Sequence, residues 1–233
     1  MNTNKNSYTI LYASVVVIVV AFLLAFVSKV LEPQSKANER IDKKKQILAS
    51  LNIRGLQNSE VESKYKEIVL RDAIVDAQGR ETAAGDRQDQ DGFALSPKEI
   101  GKDRLPVYYC KVNGEEKWVY PMFGKGLWGG ISGYLSLNAD KRTIFGTYFT
   151  HESETAGLGA RITEPWFQNQ FMGKRISKEG SQQIDLTVVK NGQVQDSEVQ
   201  VDGITGATLT SNGVNDMLQQ SLANYSRQLN LDK

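Results

Sequence analysis

One uninterrupted apolar run constrains this chain before anything else. From Ile10 to Val27 the sequence reads ILYASVVVIVVAFLLAFV, eighteen residues with one serine and no charge. At about 1.5 Å per residue, Tyr8–Val27 wound as a helix spans roughly 30 Å, the depth of a bilayer's hydrocarbon core. A cleaved leader has an apolar region of about 7–15 residues ending in a small-x-small site. The stretch Phe26-Val27-Ser28-Lys29-Val30 offers no such site, so the run reads as an uncleaved single-pass anchor in the lipid bilayer. Its direction is another matter. Only Lys5 flanks it on the short side, whereas Lys29, Lys36, Arg40 and Lys43 to Lys45 follow it. The positive-inside bias would keep the large domain in the cytoplasm, but long domains are translocated regardless of charge. Charge alone leaves the side open.

Composition then removes whole classes of function. Lys+Arg number 28 and Asp+Glu 27, a net charge of +1, so no basic field invites a polyanion and nucleic acid is not an expected partner. The chain has one histidine, His151, and one cysteine, Cys110. It therefore cannot build a Cys-ligated iron–sulfur cluster, a zinc finger or an intramolecular disulfide by itself. Redox chemistry would need an organic cofactor or a partner protein.

Beyond the anchor (residues 1–30) the pattern predicts membrane-proximal helices and a long loop over 31–104, then a domain over 105–233. Pro33 suits a first helical turn, and Ala37, Ile41, Lys44 and Leu48 follow at helical spacing. Ser59-Glu60-Val61-Glu62 has the form of a capping box ahead of Tyr65 and Ile68 or Val69. Residues 77–102 read as a polar surface loop. From Leu105 the pattern is β. Leu105–Val112 and Lys117–Tyr120 flank Asn113-Gly114, and Ile131–Leu137 and Thr143–Thr150 flank Asn138 to Lys141. Ile184–Val189 and Gln193–Val201 bracket Asn191-Gly192, which predicts a third hairpin. Thr163-Glu164-Pro165 opens a short helical stretch, and Ser211 caps a final helix carrying Val214, Met217, Leu218, Leu222, Tyr225 and Leu229. The fold class is α+β, with a mixed, largely antiparallel sheet behind a single transmembrane helix.

Three segments could carry chemistry. Gly124-x-Gly126-x-x-Gly129 matches a dinucleotide fingerprint as a string, but the following ISGYLSL alternates like a strand where that motif demands a helix. The segment is then either a close-approach loop with Trp128 as a flat apolar wall or a plain glycine-rich turn. His151-Glu152-Ser153-Glu154-Thr155-Ala156-Gly157-Leu158-Gly159 could hydrogen-bond a polar heterocycle, or could be a solvated turn. His151, Glu152 and Glu154 are metal-capable, but no metal site is expected there. Asp202-Gly203-Ile204-Thr205-Gly206-Ala207-Thr208-Leu209-Thr210-Ser211 brings hydroxyls and small residues to a helix N-terminus, which suits an anionic phosphate or simple capping by Thr210 or Ser211.

Together GKGLWGGISGYLSL, HESETAGLGARI, DGITGATLTSNGV and the anchor resemble the NqrC family of the bacterial Na⁺-translocating NADH:quinone reductase, and more distantly the corresponding flavin subunit of the Rnf ferredoxin–NAD⁺ reductase. The likeness spans nearly the whole chain. It implies an FMN attached by a flavin transferase through a phosphoester to Thr208, in a motif formed by Asp202, Thr205, Gly206 and Ala207. Further flavin contacts carried over are Trp128, Glu154, Thr155, Gly157, Leu158 and Thr210. It also implies a flavin domain on the periplasmic side of the inner membrane, relaying electrons within a six-subunit complex that reduces quinone and exports Na⁺. Two residues depart from the family pattern: Ala156 stands where proline is frequent and Thr205 replaces serine, and neither removes a group needed for attachment. The alternatives are the Rnf-type protein and an anchored extracytoplasmic binding module without cofactor.

Overall fold

Helix α1 runs unbroken from Asn6 to Ser50, in a computed structural model that describes residues 6–83, 89–101 and 103–231. Lys5 and parts of the expected loop (84–88 and 102) lie outside the described residues. The apolar side chains of the run, among them Val17, Phe22 and Leu24, are exposed, which is tolerable in lipid and not in water. Pro33 lies inside α1 and does not open a second helix. It interrupts only one ladder bond, to the carbonyl of Lys29, and Glu32 pairs with Lys29 and Lys36 on either side of it, each at 2.7 Å.

The chain divides into two compact units between Lys43 and Lys44. The last turns of α1 belong to the second, where Ile47 and Leu48 are fully buried. Lys44, expected on an apolar stripe, is indeed buried. Its ammonium is satisfied by Glu62 at 2.6 Å and Asp89 at 3.0 Å, and lies 4.9 Å from the Tyr65 ring centroid. Helix α2 (Asn58–Ile68) buries Val61, Tyr65 and Ile68. Its capping box is shifted from the expected one: Gln57 is the N-cap, and its N–H donates to Glu60 at 2.8 Å.

Five antiparallel strands form the main sheet in chain order: β1 (Val69–Val75), β2 (Leu105–Val112), β3 (Glu115–Lys125), β4 (Gly130–Asn138) and β5 (Ile144–His151). The first is a strand that the helical reading of Val69 conceals. Asn113 and Gly114 both have positive φ, as a two-residue hairpin turn requires. The expected third hairpin is not formed. β6 (Thr187–Val189) and β7 (Gln200–Asp202) pair in parallel in a separate two-stranded sheet. A turn does close at Asn191-Gly192, with Gln193 N–H donating to the Lys190 carbonyl. A second reversal follows near Asp196, whose carbonyl receives the Gln200 N–H, so the chain returns in its original direction.

The short helix α3 (Pro165–Asn169) starts at proline as expected, with Glu164 as its N-cap. The last helix, α4 (Thr208–Asn224), packs Val214, Met217, Leu218 and Leu222 into the core beside Tyr120, Met122 and Phe149. It begins three residues before the expected cap: Ala207 occupies the N-cap position, and Ser211 lies inside the first turn.

Candidate functional site

Strand register brings the three motif segments to one end of the main sheet. Lys125 pairs with Gly130 and Ile131 with His151, so the β3–β4 turn and the segment leaving β5 are neighbours. That turn is tight, with Gly126 N–H donating to the Gly129 carbonyl at 2.8 Å. A strand–turn–strand of this kind has no helix to receive a dinucleotide, which disposes of the fingerprint reading.

Glu154 joins the segments. Only 7% exposed, it accepts the Trp128 N–H on Oε1 at 2.8 Å and the Thr210 hydroxyl on Oε2 at 2.5 Å. Its own N–H donates to His151 Nδ1 at 3.2 Å, and Ser153 Oγ donates to the Trp128 carbonyl at 3.2 Å. Burial by itself would raise the Glu154 pKa. The Thr210 hydroxyl and the N–H groups of the turn from Leu127 to Gly129 outweigh it and hold the carboxyl below its ordinary value. Gly126 and Gly159 make this packing possible: a Cβ on Gly126 would lie 2.5 Å from Glu154 Oε1, and one on Gly159 would lie 2.4 Å from Thr210 Oγ1.

Between these elements lies a cleft of about 240 Å³. Glu154, Thr155, Leu158, Gly206, Ala207, Thr208 and Thr210 line it as expected site residues, joined by Leu127, Gly159 and Leu209. Of these, Gly159 belongs to the segment the sequence marks for close approach to a ligand, whereas Leu127 and Leu209 are not singled out, although each adjoins a residue that is. Trp128 contributes its backbone N–H to Glu154, while its indole is largely exposed and Leu127 lines the cleft instead. Gly157 has φ +75° in the loop that turns toward Leu158. Asp202 ends β7 and accepts the Gly192 N–H at 2.7 Å, so its carboxylate fixes the β6–β7 connection.

The lip of the cleft is the start of α4. Thr205 and Gly206 are exposed, Gly206 with φ +78°. Ala207 N–H bonds the Ile204 carbonyl, while Ser211 Oγ accepts the Ile204 N–H at 2.9 Å and donates to the Ala207 carbonyl. Thr208, the first residue of the helix, is exposed. No side chain caps α4, so first-turn N–H groups and the positive end of the dipole face the cleft mouth. A larger groove of about 540 Å³ between α2 and the β2–β3 turn has no such helix end. Among the described residues no three His, Cys, Asp or Glu side chains are grouped to hold a metal.

This arrangement fits a flavin mononucleotide. An accessible hydroxyl adjoins an anion-favouring helix end, and the cleft beside it combines apolar Leu127, Leu158 and Leu209 with polar Thr155.

Comparison with known proteins agrees with that fit. The FMN-binding domain family matches residues 126–223, which include the first segment from Gly126 onward and all of the other two. The NqrC protein of the Na⁺-translocating NADH-quinone reductase from Vibrio alginolyticus is 33% identical over 199 residues, covering 79% of this chain and 77% of that one. Its Chlamydia pneumoniae counterpart is 39% identical over 149 residues, covering 58% and 44%. Among solved structures, the same protein from Parabacteroides distasonis superposes with a TM-score of 0.79 at 38% identity, over 87% of this chain and 98% of the other. Shewanella oneidensis NqrC shares the fold, with a TM-score of 0.70 at 22% identity over 83% and 97%. With this coverage and identity, the chain belongs to the NqrC family of the Na⁺-translocating NADH-quinone reductases.

Proposed function

We propose that the chain is the flavin-carrying electron-transfer subunit of a Na⁺-translocating NADH-quinone reductase, with FMN joined through its phosphate to the hydroxyl of Thr208. The observation that carries this reading is the position of Thr208, exposed at the first residue of an uncapped helix on the lip of the cleft. A phosphodiester keeps one negative charge, which the helix end stabilises by roughly 0.3–1 kcal/mol at an exposed site. The ester does more than the charge, because a covalently held cofactor stays in place in every redox state. When bound, the flavin supplies the electron chemistry that the side chains lack. The chain's own residues hold and shield it: Leu127, Leu158 and Leu209 offer apolar walls, and Thr155 offers hydrogen-bonding groups.

Maturation by a flavin transferase and assembly into a six-subunit membrane complex complete the reading, with α1 as anchor and the flavin domain on the periplasmic side of the inner membrane. The run Ile10–Val27 contains no ionisable side chain other than the Tyr12 phenol, so the Na⁺ path lies in the partner subunits. The test is mass spectrometry of the tryptic peptide Asn191–Arg227 after co-expression with a flavin transferase. Added FMN mass that fragmentation places on Thr208 supports the reading. A bare peptide in the active complex overturns it and favours a cofactor-free binding module. Quinone reduction by NADH in the purified complex distinguishes it from the Rnf-type assembly.

A further inference from the structure

We propose that Glu154 and Thr210 form a clamp that presents Thr208 for modification, and that they are positioning residues instead of flavin ligands. The inference rests on flavin attachment at Thr208. Both carboxylate oxygens of Glu154 are already engaged inside the protein, Oε1 by the Trp128 N–H at 2.8 Å and Oε2 by the Thr210 hydroxyl at 2.5 Å. Glu154 is 7% exposed and Thr210 1%, so the pair is sealed into the cleft wall. A Cβ on Gly126 or Gly159 would meet those carboxylate oxygens at 2.5 Å, which shows how little space remains beside them.

Thr210 is the third residue of α4 and Thr208 the first. Residues in one helical turn move as a unit, so holding Thr210 to the β5 loop fixes the direction in which the Thr208 hydroxyl emerges. Among the described residues, the Ser211 hydroxyl bonds within its own segment, at Ile204 and Ala207. The Glu154 bond, among the described residues, ties the first turn of α4 by a side chain to a different element, while the backbone N–H groups of that turn stay uncapped.

The test measures how fast the Asn191–Arg227 peptide of the full-length chain gains FMN from a flavin transferase, in wild type, Thr210→Val, Thr210→Ser, Glu154→Gln and the Glu154→Gln/Thr210→Val double variant. Loss of a hydrogen bond to a charged group predicts a rate about tenfold lower in Thr210→Val and in Glu154→Gln. The double variant should be no slower than the slower single one, since both changes act on the same contact, Thr210→Val by removing its hydroxyl and Glu154→Gln by removing its charge. Thr210→Ser keeps the hydroxyl and should label close to the wild-type rate. That rescue separates positioning from general loss of structure and stands even if Glu154→Gln folds poorly. Wild-type labelling in Thr210→Val, or equal slowing in Thr210→Ser and Thr210→Val, overturns the clamp. If the wild-type chain takes no label at Thr208, the attachment reading itself fails and the clamp falls with it.

Discussion

Thr208 and Thr210 carry the same side chain in the same helical turn and live in opposite surroundings. Thr208 is exposed on the lip of the cleft, and no hydrogen bond of its hydroxyl is seen among the described residues. Thr210 is 1% exposed and gives its hydroxyl to a buried carboxylate. A group that must be reached by a modifying enzyme has to stand unsaturated in solvent, whereas a group that holds a structure has to be buried and paired. On the proposed reading, the contrast gives reactivity to one threonine and anchoring to the other, without any difference in residue type.

The largest expected effect separates the two directly. Thr208→Ala should abolish flavin fluorescence of the denatured chain in gels while leaving the melting temperature nearly unchanged, because an exposed hydroxyl contributes within about ±0.5 kcal/mol. Thr210→Ala should do the reverse in kind: labelling persists at a reduced rate, and urea unfolding of the apoprotein shows a loss of about 1.5–3 kcal/mol, since Glu154 is left buried and short of a donor. Retained fluorescence in Thr208→Ala would reverse the assignment.

Next come the glycines that frame the buried member. Gly159→Ala places a methyl 2.4 Å from Thr210 Oγ1 and 2.5 Å from Glu154 Oε2, and overpacking of that order costs about 1–3 kcal/mol. Two residues earlier, Gly157 has φ +75° but open space around it. Gly157→Ala should therefore cost only the left-handed backbone penalty, about 1–2 kcal/mol, and leave the clamp intact. Equal labelling rates in the two variants would mean that Gly159 is not a packing constraint on the clamp.

These local signals explain what is legible in the sequence and what is not. The apolar run, the Asn113-Gly114 hairpin and the buried face of α4 are readable because each is fixed by its own residues: length without charge, a turn that needs positive φ, and helical spacing. The collection of Glu154, Thr155, Leu158, Thr208 and Thr210 into one cleft follows from resemblance, not from chemistry visible in any single segment. What escapes depends on distant partners. β1 is hidden because Val69 to Val75 is buried along most of its length and shows little alternation. The parallel β6–β7 pair depends on a second reversal near Asp196 that no strong turn motif announces. The start of α4 at Thr208, not Ser211, follows from Ser211 committing its hydroxyl to Ile204 and Ala207. Nothing in sequence spacing shows that Glu154 would meet Thr210 across 56 positions.

The smallest expected effect extends the contrast to two buried carboxylates. Glu154 has both oxygens engaged and a pKa held below 4.5, burial being outweighed by its donors. Asp72 accepts the Asp91 and Phe93 N–H groups on Oδ2, but Oδ1 is buried with no partner among the described residues, and burial raises its pKa above 3.8. Between the two Glu154 pKa values the unfolded chain binds the extra proton. Its contribution is therefore complete above the ordinary glutamate range and is lost as pH falls through the folded value. For Asp72 the folded state binds the extra proton, so stability falls as pH rises from the ordinary aspartate value through the raised one. Unfolding by urea from about pH 7 down to about pH 3 should thus show the destabilisation by Glu154→Gln shrinking toward acid. Asp72→Asn should move the other way, comparing worse with wild type as the native Asp72 becomes protonated and its unpaired oxygen ceases to cost. Parallel pH dependence in the two variants would show that the saturation of the carboxylate, visible at Glu154 and incomplete at Asp72, does not control its charge.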